Sequence, residues 1–152
     1  MTEKPDSIKG LLSSLQERAK VLNCLYRVDE ALSHPDSPFD TVGQRLVEAI
    51  PPGWQYPSIC RAKIVLRGQE YNSHDYADSR WIQEAEISVM GETVGRVTVL
   101  YIEEKPSADE GPFLKEERRL INAIADRIGL FILQRRLRDV HQDWQSLRKL
   151  TE

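Results

Sequence analysis

A histidine beside an aspartate is the smallest arrangement in this chain that resembles acid–base machinery. His74 and Asp75 sit in the polar stretch "YNSHDYADSRW", Tyr71 to Trp81, where a carboxylate can hold an imidazole as a general base or the ring can ligate a haem. No nucleophile accompanies them. Cys24 and Cys60 lie far apart without CxxC spacing, which argues for buried thiols rather than a zinc site or a disulfide framework. No G-x-S-x-G, Walker loop, H-E-x-x-H or G-x-G-x-x-G is present. The sequence therefore reads as a non-enzyme, with no catalytic residue, metal site or cofactor.

The acidic run Asp109, Glu110, Glu116 and Glu117 offers a second constellation. Pro112 suits a first helical turn, and carboxylates near a helix start meet the positive pole of its macrodipole. They read as the start of a helix, not as an acid/base pair. A third constellation is aromatic: Trp54, Tyr56, Tyr71, Tyr76 and Trp81 bracket the central region and, with His74, form the candidate lining of a small-molecule pocket. Core filling explains the same rings. Arg61, Lys63 and Arg67 alternate along one strand face, suited either to an anion or to solvent.

The elements that must position these residues follow from periodicity. Ile8, Leu12, Leu15, Ala19, Leu22 and Tyr26 recur at alternating spacings of four and three, the seam of a coiled-coil-like helix over residues 7–33. Leu11, Leu25, Val28 and Leu32 widen its apolar face toward a domain. Prolines in "SHPDSPFD" break this helix. Asp40 or Thr41 is expected to cap a second one, carrying Val42, Leu46, Val47 and Ile50 and ending at Pro51. From there the period falls to two. Ala62, Ile64 and Leu66 mark one strand, Ile82, Ile87 and Val89 another, and Val97, Val99 and Tyr101 a third that is apolar on both faces, as a central strand would be. "GETVG" reads as the turn before that third strand.

A final helix is expected over residues 112–150, with Leu120, Ile121, Ile124, Ile128 and Ile132 facing a core. A separate ladder, Leu130, Leu133, Leu137, Val140, Trp144 and Leu147, keeps strict three-four spacing. One continuous helix of that length spans about 57 Å at 1.5 Å per residue, more than a compact domain covers. The predicted interface of a homodimer is therefore Leu12, Leu15 and Leu22 with Leu130, Leu133, Leu137, Val140, Trp144 and Leu147.

The 152 residues suit a single domain, with 39–111 as helix and sheet core between two interface helices, and the net charge of −3 argues against a nucleic-acid footprint. Arg135, Arg136, Arg138, Arg148 and Lys149 gather near the C-terminus but are diluted by Asp139 and Asp143. No apolar run reaches the roughly 18 residues of a spanning helix, and "MTEKPDSIKG" lacks a signal peptide's apolar core, so a cytoplasmic location away from membranes is expected.

Several phrases carry a family resemblance. "VMGETVGRVTVLY", Val89 to Tyr101, is similar to the penultimate hairpin of GAF domains, and "PFLKEERRLINAIADRIGLFI" is similar to the start of their last helix. "IPPGWQYPSICRAKIVL" and "EEKPSADEGPFLKEER" resemble sensory segments of bacterial signalling proteins, including those feeding histidine kinases. The resemblance covers most of Leu22 to Leu133 and implies an α+β fold, with a GAF/PAS-like antiparallel sheet flanked by an N-terminal and a long C-terminal helix. It further implies a sensory or regulatory module of a two-component or related system, in which the paired helices of a parallel homodimer pass a signal to an output domain such as a kinase. A non-liganded dimerisation adaptor of the same fold is the alternative. The interval Tyr71 to Trp81 is short for the family's ligand-covering insertion, and its cyclic-nucleotide, bilin and methionine-sulfoxide-reductase residues are missing.

Overall fold

The computed structural model of the chain describes residues 5–34 and 36–151. Three helices and a four-stranded sheet follow in the order α1 (Pro5–Ala31), α2 (Phe39–Ala49), β1 (Cys60–Leu66), β2 (Gln69–Asn72), β3 (Trp81–Val89), β4 (Glu92–Tyr101) and α3 (Lys115–Thr151). Two single 3-10 turns, Pro51–Gly53 and Pro57–Ile59, lead from α2 into β1. The fold is α+β. The sheet is antiparallel throughout, in the order β2-β1-β4-β3, so β4 is indeed central.

Both hairpins use two-residue turns in the left-handed region, Arg67-Gly68 and Met90-Gly91, whose twist matches that of the flanking strands. The expected turn at "GETVG" is thus displaced. Glu92 to Gly95 already belong to β4, and Gly95 pairs with both Leu66 and Ile87. β2 has no counterpart among the expected strands.

One face of the sheet is the core face. Ala62, Ile64 and Leu66 of β1 and Val97, Val99 and Tyr101 of β4 meet α2 and α3 there, as their alternation requires. β3 departs from its expected parity: Gln83, Ala85, Ile87 and Val89 point inward, while Ile82 lies outward at 43% exposure. Trp54 explains the inward glutamine, because its indole Nε1 donates to Gln83 Oε1 at 3.1 Å and would otherwise be a buried donor without an acceptor. On α3 the stripe Leu120, Ile121, Ile124, Ile128 and Ile132 is buried, each such side chain contributing about 1.5–3 kcal/mol by leaving water.

The outer sheet face is crossed by the connection 73–80. It must travel from β2 at one edge to β3 at the other, and it is pinned on the way: Ser73 Oγ accepts from Ala62 N, Arg61 Nε donates to the Asp75 carbonyl, Tyr76 lies against Lys63, and Ser79 Oγ donates to the Tyr101 carbonyl. Leu100, on that outer face, is fully buried as a result.

α1 and α3 run in the same direction. Leu25 shares a groove with Leu120 and Ala123, Asp29 accepts from Arg127 at 2.8 Å, and Asp36 pairs with Arg138, so contacts advance together along both. Each helix outruns the domain at the opposite end. Residues 8–16 of α1 and 139–150 of α3 are exposed throughout. Leu11, expected to face the domain, is 63% exposed because α3 begins only at Lys115 and among the described residues leaves it uncovered; Val28 is buried as anticipated, and Leu25 and Leu32 pack on the core. At 1.5 Å per residue α3 is about 55 Å long. Among the described residues no helix is long and apolar enough to cross a membrane.

Candidate functional site

The acidic run resolves into helix-start chemistry. α3 begins three residues after Pro112, not at it; Pro112 instead sits buried in the turn closed by the Glu110–Phe113 bridge. Asp109 Oδ2 accepts from Lys115 N at 2.9 Å, and Glu117 Oε1 reaches back to Leu114 N at 2.7 Å, the carboxylate half of a capping box. Glu117 does more than cap. Its second oxygen accepts from Gln55 N at 2.7 Å and from the Tyr101 hydroxyl at 3.1 Å, so one buried carboxylate ties the start of α3 to β4 and to the loop after α2. Burial raises its pKa above the usual glutamate value, against the pull of those three donors. Beside it, Glu110 is clasped by the Arg118 fork at 2.8 Å through each oxygen, which lowers its pKa.

The expected cap of α2 is absent. Pro38 occupies the N-cap position without a side-chain bond, and Asp40 is engaged elsewhere, accepting the Tyr71 hydroxyl at 2.7 Å. Burial and this acceptor push the Tyr71 phenol up to about 12.

His74 stands 90% exposed beside the Asp75 carboxylate at 3.2 Å. It borders an open depression of about 310 Å³ that Cys60 also borders, yet among the described residues no hydrogen bond joins the two. Burial and the nearby Glu117 raise the Cys60 thiol well above its ordinary value, and burial pushes Cys24 up to about 12, so neither supplies a thiolate at neutral pH. Cys24 is held as a weak donor toward the Ala49 and Ile50 carbonyls that end α2. Among the described residues no group of three or more His, Cys, Asp or Glu side chains is placed to hold a metal ion.

The six candidate pocket residues do not converge. Trp54 is 0% exposed in the core. Tyr56 meets Tyr101 edge-on at 5.4 Å with Lys105 above it, near the start of α3. Tyr76 is drawn onto Lys63 on the outer sheet face, and Trp81 lies under Arg80. Tyr71 packs beside Phe39 at the start of α2, bordering a cavity of about 360 Å³ distinct from the depression at His74. The physical reason is the short 73–80 connection, which lies on the sheet rather than arching over a space. The arginines around Tyr71's cavity, Arg67, Arg135 and Arg136, come from segments remote in sequence, and no single-segment pattern brings them together.

The helical seams are where apolar surface gathers. Leu12, Leu15, Leu22, Leu130, Leu137, Val140, Trp144 and Leu147 are all exposed, Leu137 at 61%, together with Ile8 and Tyr26. Leu133 differs from its neighbours, being partly buried against the core. A groove of about 700 Å³ lies between α1 and the first turns of α3, with Val21, Leu22, Leu25, Leu120 and Ala123 in its walls. Each stripe is a row of uncovered apolar side chains at helical spacing, unlike singly scattered surface leucines. In comparisons with known proteins no family model, no curated protein and no solved structure matches this chain.

Proposed function

We propose that the chain is a GAF-like sensory or regulatory module that works in the bacterial cytoplasm as a parallel homodimer, its helices passing a change in the domain to an output domain such as a histidine kinase. The observation that carries this reading is the pair of apolar stripes on α1 and α3, which the domain leaves uncovered over whole turns at both ends. Because the two helices run in one direction, a partner related by a two-fold axis along them covers both stripes at once and builds a four-helix bundle. In such a bundle, a small shift of α3 on the sheet changes the register or angle of the emerging seam. Analytical ultracentrifugation tests the reading. A dimer at tens of micromolar that becomes monomeric on Leu137→Asp with Val140→Asp is expected; a wild-type monomer, or a dimer indifferent to both substitutions, removes it.

A second reading, an adaptor that only dimerises, is favoured by the dispersal of the aromatic residues and by the connection lying flat on the outer sheet face. A thermal-shift screen separates the two, since a binder gains stability with ligand concentration and an adaptor does not respond.

A further inference from the structure

The cavity beside Tyr71 lies between the start of α2, the β1–β2 hairpin and the last core turn of α3, and three of its wall residues are Arg67, Arg135 and Arg136. Four arginines elsewhere, Arg96, Arg118, Arg127 and Arg138, each pair with a carboxylate, whereas Arg67, Arg135 and Arg136 are gathered in one wall. Among the described residues these three have no such partner within ion-pair distance. The nearest acids in the same wall are Asp139 and Asp40, and Asp40 already accepts the Tyr71 hydroxyl.

Arg135 is the most constrained of the three. Its guanidinium lies 5.8 Å from the Phe39 ring centre and 6.0 Å from that of Phe131, and its Nη1 is shut off from solvent without a hydrogen-bond acceptor. Nη1 is closed to the cavity as it is to solvent, so an anion there is met by the rest of the planar fork, whose geometry suits two oxygens. Phe39 and Tyr71, with ring centres 6.0 Å apart, supply an apolar wall beside the charge.

We propose that this cavity binds a small organic oxyanion, a phosphate or carboxylate carried on a ring or similar apolar body. The arginines take the anionic end and the aromatic wall takes the body; a volume of about 360 Å³ is enough for a ligand of that size. Binding stands on this cavity alone. Only its coupling to the helices rests on the sensory reading above, since Arg135 and Arg136 sit just before the exposed segment of α3.

Titration of the full chain with phenyl phosphate, benzoate, inorganic phosphate and neutral phenol, followed by NMR of the arginine Nε–H and backbone signals, tests the proposal. Saturable shifts at Arg135, Arg136 and Tyr71 with phenyl phosphate or benzoate are expected, and the tighter of the two assigns the anion. The double variant Arg67→Gln, Arg136→Gln, checked for an unchanged amide spectrum away from the cavity, is expected to weaken binding at least about tenfold. Arg135 is left in place so that its packing on the rings is not disturbed. The proposal is overturned if neither anion saturates, if phenol binds as well as either, or if the double variant binds as the wild type does. Sedimentation and the Trp144 indole signal in the same titration read the coupling separately: binding without a change in either leaves the site standing and removes ligand control of the helices.

Discussion

Tyr101 donates its phenolic hydrogen to Glu117 across 3.1 Å inside the core, joining the central strand to the first turn of the longest helix. The carboxylate meets only donors: Gln55 N, Leu114 N and this hydroxyl. An amide in its place must turn an NH2 toward another donor, so Glu117→Gln is expected to lose about 1–3 kcal/mol of stability despite removing a buried charge. The pH dependence carries a sign. Because the folded pKa lies above the ordinary 4.5, the folded state binds the proton more readily, and this group's contribution to stability falls as pH rises from 4.5 through the folded value. The penalty of Glu117→Gln should therefore be larger near pH 4 than at pH 7, as read by urea unfolding at each pH. A penalty growing in the opposite direction contradicts the assignment.

Glu110 behaves in reverse. Arg118 holds both its oxygens at 2.8 Å and lowers its pKa below 4.5. Its stabilisation is present above the unfolded value and lost as pH falls through the folded one. The pair is partly exposed, so Glu110→Gln is expected to lose only about 1 kcal/mol at pH 7, and less in strong acid. Parallel urea titrations of the two variants give opposite pH trends if both geometries are right.

Gly129 tests the seating of α3 on the sheet. In an isolated helix, alanine is favoured over glycine by about 1 kcal/mol. Here a Cβ would come within 2.4 Å of the Ser88 carbonyl oxygen, beside the register shift of β3. Backbone, unlike a flexible side chain, yields only by moving an element, and overpacking of this kind costs about 1–3 kcal/mol. Gly129→Ala is expected to lower the melting temperature; a stabilised variant would show that the helix stands off the strand.

Much of this architecture was legible in the pattern of residues, and the failures have physical causes. β1 was readable because its alternation is strict, β4 because it is apolar on both faces near its end as a central strand is, and the core stripe of α3 because its isoleucines keep one helical face. β2 was not, since Gln69–Asn72 holds a single buried apolar residue. The parity of β3 was misread at Ile82 because hydrophobicity alone sends isoleucine inward, whereas the partner needed at that depth was an acceptor for Trp54. Asp40 failed as a cap because a tyrosine from β2 claims it, a contact that only the folded chain creates. The helical seams stood out by spacing alone. The convergence of Arg67 with Arg135 could not, because it depends on where α3 crosses the first hairpin.

The last prediction separates the stalk from the domain. Val140, Trp144 and Leu147 are exposed, and the buried core of α3 ends at Ile132, so removing residues 140–152 takes almost nothing from the domain itself. If those side chains instead pack on a second copy, the intact chain gains stability from association, and its melting temperature rises with protein concentration. The truncated chain keeps Leu12, Leu15, Leu22, Leu130 and Leu137, so its melting temperature should depend on concentration less steeply than that of the intact chain, and the two curves should converge on dilution as the dimer dissociates. A truncated chain that unfolds well below the diluted full-length protein would place the last three turns of α3 against its own domain. Concentration-independent melting of the full-length protein would leave its apolar stripe without the partner that the spacing of Leu130, Leu137 and Trp144 requires.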